Sequence, residues 1–325
     1  MTQPKLYEPI AKPAIHQPRS TSEDVPVIIH VGPHKTGSTW LQFTVFPKLA
    51  GITLCNEPKI THRAFLIPPY GCFCLETARG AFGNHIAKAE ADGTALFISD
   101  EGLGGRAFGQ KYVREITAYR LKEAFPRATI LFFTREQSKL LTSLYGEYIR
   151  YGYQSSLEEF LAPGNDLIEP ILDLRYYEWD RTFQLYAEIF GEDSIIAMPM
   201  ELSVSDPEAM LKALNKKLVP PLTCPDGIDK HTKVRPALSG WARAAQRRIN
   251  GFIPQDSRRL RNNKFLNAGT IAYWVDRITP KAARKKAAEK ELAVVRERIG
   301  HRFAASNRQF SQRIGVDLQQ YGYMV

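Results

Sequence analysis

Residues Val25-Pro26-Val27-Ile28-Ile29-His30-Val31 form a short, nearly continuous apolar run rich in β-branched side chains. This is the pattern of a strand buried on both faces. The run stops at the turn pair Gly32-Pro33, and a helix-like segment, Thr39 to Phe46, follows and is halted by Pro47. A strand hidden on both faces needs helices above and below it, so this one strand–loop–helix unit already points to a layered α/β chain. Ala95 to Ser99, Ala128 to Thr134 and Ser194 to Met198 are three further runs of the same kind. Helical periodicity fills 111–124, 137–151 and 177–190, the last through Tyr177, Phe183, Tyr186 and Phe190. The expected fold is α/β in three layers, with a mostly parallel central sheet and a basic, mainly helical C-terminal region. In such sheets ligands bind beyond the carboxyl ends of the strands.

The loop Gly32-Pro33-His34-Lys35-Thr36-Gly37-Ser38-Thr39 lies where backbone N–H groups and a helix N-terminus form an anion site. Its glycines let the backbone approach a ligand. Thr36, Ser38 and Thr39 offer hydroxyls, and Lys35 offers a positive charge able to reach a bridging oxygen. The nucleotide triphosphatase loop ends in Gly-Lys-Ser/Thr with its lysine directly before the helix. Here the lysine precedes Gly37 instead.

The order Lys35-Thr36-Gly37-Ser38-Thr39-Trp40-Leu41-Gln42 after a strand resembles the 5′-phosphosulfate loop of sulfotransferases that use 3′-phosphoadenosine-5′-phosphosulfate (PAPS). Arg135 at the end of a later strand, with Ser143 eight residues on, is similar to the arginine and serine with which that family holds the 3′-phosphate of the donor. Arginine supplies a bidentate fork and serine a second donor. Met200-Glu201-Leu202, Asp206-Pro207 and the close Leu318 to Tyr323 match the family in pattern. The resemblance covers about 27–218 and the last twenty residues, in a P-loop-like fold.

It implies a PAPS-dependent sulfotransferase with PAPS as donor cosubstrate, PAP as product and no metal. Lys35 would stabilise the bridging oxygen, and Thr36, Gly37, Ser38, Thr39, Arg135 and Ser143 would bind the donor. A late basic loop carrying Lys233 and Arg235 would close over its phosphates, with surface solvation as the other reading. Glycan-directed members carry a glutamate after the second of these strands, which makes Glu101 the first candidate for general base. Asp100 beside it would cap the turn, or the two would exchange roles. The rivals for the base are His34, beside Lys35, and His62 and His85 in the unassigned 55–93 stretch. Trp40 reads as core, with an adenine platform as the alternative.

The formal charge of +10 is concentrated late in the chain, with nineteen Lys and Arg against five Asp and Glu between Lys230 and Arg302. That excess suits an anionic partner or a solvated helical face. The segment 1–24 reads as a flexible lead-in and 25–325 as one domain. Its core would be 25–220, a basic helical appendage or lid 235–302, and a C-terminal segment 303–325. The expected acceptor is a hydroxyl of a carbohydrate or glycolipid, and the expected partner of 230–302 an anionic membrane or polymer contacted peripherally. No nucleic acid is expected, because Trp241, Phe252, Phe265, Tyr273 and Trp274 read as packing residues rather than a stacking groove. Four cysteines make no disulfide framework and no zinc spacing. No apolar run is long enough to span a bilayer, so a cytoplasmic protein, or one peripheral at the inner membrane surface, is expected. The rival functions are transfer to a small molecule or peptidyl tyrosine, a nucleotide-dependent kinase, and a non-catalytic polyanion binder.

Overall fold

The computed structural model describes residues 25–69, 71–105, 113–164, 170–218, 221–224, 227–228, 238–252 and 268–325, with 268–271 described for backbone only. Strands β1 (Val27–His30), β2 (Ile52–Cys55), β3 (Ala95–Ser99), β4 (Thr129–Thr134) and β5 (Ile195–Pro199) form one sheet in the order β2-β3-β1-β4-β5. Every pairing is parallel. The apolar runs of the sequence are β1, β3, β4 and β5. β2 is an addition: it is an edge strand whose residues alternate half-buried and buried, so it lacks the continuous apolar signature of its neighbours.

Alternation along each strand divides the side chains between two cores. Ile29, Leu96, Ile98, Ile130 and Phe132 meet Trp179, Phe183 and Tyr186 of the helix Trp179–Phe190, Leu140 and Leu144 of the helix Gln137–Arg150, and Phe310 of the helix Ala304–Ile314. On the other face Ile28, Phe97, Leu131 and Phe133 meet Trp40, Leu41, Phe46, Met210 and Leu214. Trp40 is therefore core. Each such large side chain stabilises the fold by about 1.5–3 kcal/mol. The segment expected as one helix from Thr39 to Phe46 winds in three ways: an α turn Ser38–Trp40, a π turn Leu41–Val45 and a 3-10 turn Phe46–Lys48. Pro47 has no N–H for the carbonyl of Phe43, so regular α winding cannot pass through it.

The strand order puts β1 at the centre, with β3 on one side and β4 on the other. The connections leaving β1 and its neighbours diverge there and open a crevice at their carboxyl ends.

The basic segment forms the helices Gly240–Asn250, Ala268–Ile278 and Lys281–Ile299. The Ser239 N–H donates to the Asp276 carboxylate at 2.8 Å, so the start of the first lies beside the end of the second. The Asn250 amide donates to the carbonyls of Ile149 (2.8 Å) and Tyr153 (2.9 Å), anchoring the pair on the helix Gln137–Arg150. Trp241, Phe252, Tyr273 and Trp274 do not pack as the sequence reading expected. They are exposed, and Phe265 lies outside the described residues. The buried stripe of the helix Gly240–Asn250 is Ala242, Arg243, Gln246 and Asn250, because a helix laid on a core surface hides one face only.

Candidate active site

The loop after β1 holds three residues with left-handed backbone: Gly32 (φ +83°), Lys35 (φ +67°) and Gly37 (φ +86°). A Cβ on Gly32 would stand 2.9 Å from the Cα and from the carbonyl oxygen of Glu101, so glycine is what lets this loop touch the turn after β3. Lys35 is the non-glycine residue in this region of backbone among those described, a conformation that costs about 1–2 kcal/mol. Three contacts hold it. The Thr36 hydroxyl donates to the Pro33 carbonyl at 2.7 Å, the Ser38 hydroxyl to the same oxygen at 3.3 Å, and an Arg135 guanidinium N–H to the Lys35 carbonyl at 2.9 Å. Arg135 thus braces the loop as well as facing the crevice.

After β3, Asp100 and Glu101 part company. Asp100 is buried, accepts the Gly102 N–H at 2.7 Å and the Thr61 hydroxyl, and lies 3.5 Å from His62 Nε2. It caps the turn Glu101–Gly104. Glu101, its side chain 37% exposed, turns towards the loop, with Oε1 3.2 Å from His34 Nδ1. Burial by itself would raise the Glu101 pKa, but His34 and then Lys35 outweigh it and hold the carboxyl below its ordinary value. Glu101 is ionised at neutral pH.

After β4, Arg135 and Ser143 open onto one cavity of about 540 Å³, shared with Lys139, Arg243, Arg277 and Arg284. Burial disfavours the charge of Arg135, and the Glu201 and Glu136 carboxylates partly restore it. Arg243 pairs with Glu291, and Arg284 with Asp276 at 3.4 Å. The basic helices therefore form a wall of this cavity. Beneath it, the C-terminal segment is woven into the sheet edge. The Tyr323 hydroxyl lies 3.0 Å from that of Thr134 and donates to Glu201 Oε2 at 3.1 Å, while Glu201 Oε1 accepts the Glu136 N–H at 3.0 Å.

Glu147 escaped the sequence reading. Its carboxylate is buried, lies 3.7 Å from Lys35 Nζ, and accepts from Arg150 at 3.0 Å. The signal was available: Lys139, Ser143 and Glu147 recur every four residues on one helix face. Gly146 shares that face, and a Cβ there would come within 3.3 Å of Arg243, so the glycine admits the guanidinium. The contributions of Arg277 and Arg284 had no local signal, since a basic helix facing solvent reads the same.

Lys233 and Arg235 lie outside the described residues. His62 contacts Asp100, and His85 Nε2 lies 3.2 Å from Glu57, so neither joins Lys35 through a described contact. Cys55, Glu57 and His85 do bring potential metal-ligand atoms within 4.8 Å of one another. Burial first, then the Glu57 carboxylate, push the Cys55 thiol up to about 11. Among the described residues no helix is long and apolar enough to cross a membrane.

No family model matches the sequence, and no curated protein is similar to it in sequence. Among solved structures, the chain is similar to the crystal structure of a sulfotransferase from Alicyclobacillus acidocaldarius. The TM-score is 0.53 at 16% identity, over 91% of this chain and 98% of that one. The likeness shows the fold.

Proposed function

We propose that this chain is a sulfotransferase that moves a sulfuryl group from PAPS to an acceptor hydroxyl, carried by a carbohydrate or glycolipid. The observation that carries the reading is the convergence at the carboxyl ends of β1, β3 and β4. Glu101, ionised, lies there beside His34, the Lys35 carbonyl accepts from Arg135, and Arg135 and Ser143 line one cavity. The fold of the Alicyclobacillus acidocaldarius protein adds support.

The residues fit a donor with two phosphate groups. Five basic side chains, Arg135, Lys139, Arg243, Arg277 and Arg284, line the cavity together with the Ser143 hydroxyl, and Asp276 is the one acidic lining residue among those described. A volume of about 540 Å³ is within the range that holds nucleotide-sized ligands. The donor supplies a neutral SO3 unit on a phosphate leaving group.

Glu101 accepts the acceptor's proton as the hydroxyl oxygen bonds to sulfur. The sulfur–oxygen bond to the phosphate breaks, and its electron pair stays on that oxygen. Lys35 leaves Glu147 to meet the charge developing there, helped by the backbone N–H groups of its loop. Positioning and charge stabilisation carry the step, as in phosphoryl transfer. A carboxylate base and an open, cationic crevice favour a polar, hydroxyl-rich acceptor.

Calorimetric titration tests the donor assignment, with PAP and, separately, ATP with magnesium, on wild type, Arg135→Ala and Ser143→Ala. PAP binding that Ser143→Ala weakens about tenfold, with a larger loss in Arg135→Ala, is the expected result. Among the described residues the Ser143 hydroxyl makes no hydrogen bond within the protein, so its variant reads the ligand. Binding of ATP but not PAP would replace this reading with a kinase.

A further inference from the structure

Eleven large hydrophobic side chains are exposed among the described residues, and five of them, Trp241, Phe252, Tyr273, Trp274 and Ile278, belong to two adjacent helices of the basic segment and the turn that follows the first. The clustering is informative because single exposed apolar residues need no explanation, whereas a group on one element does. Trp241 is 61%, Phe252 90%, Trp274 57% and Ile278 78% exposed.

Spacing shows how they are displayed. Trp241, Arg248 and Phe252 follow one another at seven and four residues, a single helical stripe opposite the buried Ala242, Arg243, Gln246 and Asn250. On the next helix Trp274, Arg277 and Ile278 share a face at three and four residues, and Arg277 lies over the Trp274 ring. Each outward stripe mixes aromatic or aliphatic side chains with arginine.

We propose that this pair of helices docks the protein on the surface of an anionic lipid bilayer, with Trp241, Phe252, Trp274 and Ile278 inserted at headgroup level and Arg248 on lipid phosphates. Three observations converge on a lipid occupant. The segment from Lys230 to Arg302 has nineteen basic against five acidic residues, a charge complementary to an anionic leaflet. The exposed residues are of the types that partition at the membrane–water interface, tryptophan first. The intervening acidic residue, Asp276, is turned inward onto Ser239 and Arg284, so no carboxylate of this helix interrupts the outward face. Docking here also has a geometric consequence. Tyr273 and Arg277 line the basic cavity, so a bound bilayer would lie alongside the crevice and present membrane-anchored hydroxyl acceptors to it.

The four tryptophans make the test direct. Trp40 and Trp179 are buried in the cores and Trp241 and Trp274 are exposed, so any change on adding vesicles reports the proposed surface. The full-length protein is mixed with phosphatidylcholine vesicles containing about a third phosphatidylglycerol, and with vesicles of phosphatidylcholine alone. The expected result is co-sedimentation about tenfold stronger with the anionic vesicles and weakened by salt, with a blue shift and quenching by brominated lipid.

Trp241→Ser with Phe252→Ser should lower vesicle binding about tenfold and leave PAP affinity and thermal unfolding unchanged. Equal binding to both vesicle types, or none, would overturn the proposal. So would a concentration-dependent dimer that the double variant abolishes, which would assign the face to a second copy of the chain. Retained PAP affinity in the double variant separates this outcome from a failure of the donor site.

Discussion

Lys35 Nζ lies 3.7 Å from Glu147 Oε2, across the gap between the loop after β1 and the helix after β4. The carboxylate is buried and held by Arg150 and by the Tyr151 hydroxyl, while the ammonium is partly exposed. Glu147 therefore stays in place, and Lys35 is the partner free to swing towards an anion.

Glu147 competes with that anion for the lysine. Glu147→Gln should tighten PAP binding by about fivefold, the worth of roughly 1 kcal/mol for a partly exposed pair. Lys35→Met should do the opposite to chemistry, lowering turnover by about 10²–10³-fold, with PAP affinity changed far less. Calorimetry and single-turnover rates separate the two. Weaker PAP binding in Glu147→Gln would mean that the carboxylate organises the site rather than holding the lysine in reserve.

The acid limb of the pH–rate profile should follow Glu101. Its folded pKa lies below the ordinary carboxylate value, so the ionised base persists and turnover stays flat as pH falls through the range where imidazoles protonate. His34→Asn removes the largest opposing influence, leaving burial to raise the carboxyl, so the limb should move to higher pH. Glu101→Gln should lose about 10²–10⁴-fold in turnover and keep PAP binding. A limb that vanishes in His34→Asn while Glu101→Gln stays active would assign the base to the histidine.

Gly32→Ala should destabilise the protein by about 2–3 kcal/mol. It forces a Cβ into left-handed backbone and against the main chain of Glu101. Gly37→Ala should be milder, because the Cβ there meets the flexible Met200 side chain rather than backbone. Thermal unfolding ranks the two, and equal costs would show that contact with Glu101 contributes nothing beyond the dihedral angle.

Stability should decline as pH drops from 6.5. His30 is wholly buried between Phe46 and Phe133, with Nδ1 on Ser99 and Nε2 without a partner. Burial lowers its pKa from 6.5 to about 3. The unfolded chain binds the extra proton throughout that window, so folding free energy falls with pH by at most about 1.4 kcal/mol per unit. His30→Leu should flatten the slope between pH 6.5 and 4.5 in urea unfolding. An unchanged slope would place the acid sensitivity elsewhere.

Much of the sheet was legible because its strands are locally distinctive. Runs such as Thr129 to Thr134 place alternate residues in two cores, and continuous apolarity is the direct trace of that. β2 was missed because an edge strand needs only one well-buried face. That 235–302 is basic and helical was legible, yet what its helices Gly240–Asn250 and Lys281–Ile299 do was not. Arginine on a helix reads the same whether it meets solvent, as Arg248 does, or packs over Gly146, as Arg243 does.

From the sequence alone came the strand–loop–helix unit, the cationic and hydroxyl-bearing residues of the loop, the placement of Glu101 and Arg135 just beyond strand ends, and that of Ser143 on the helix that follows. These follow from backbone periodicity and turn chemistry, which act over a few residues. Only the tertiary structure decided that β3 and β4 flank β1, which brings residues 35, 101 and 135 to one crevice. It also set Glu147 against Lys35, made Asp100 the cap and turned Glu101 towards His34, and left Trp241 and Trp274 facing outward. Strand order and helix docking arise from how whole faces bury against each other, and that depends on every element at once.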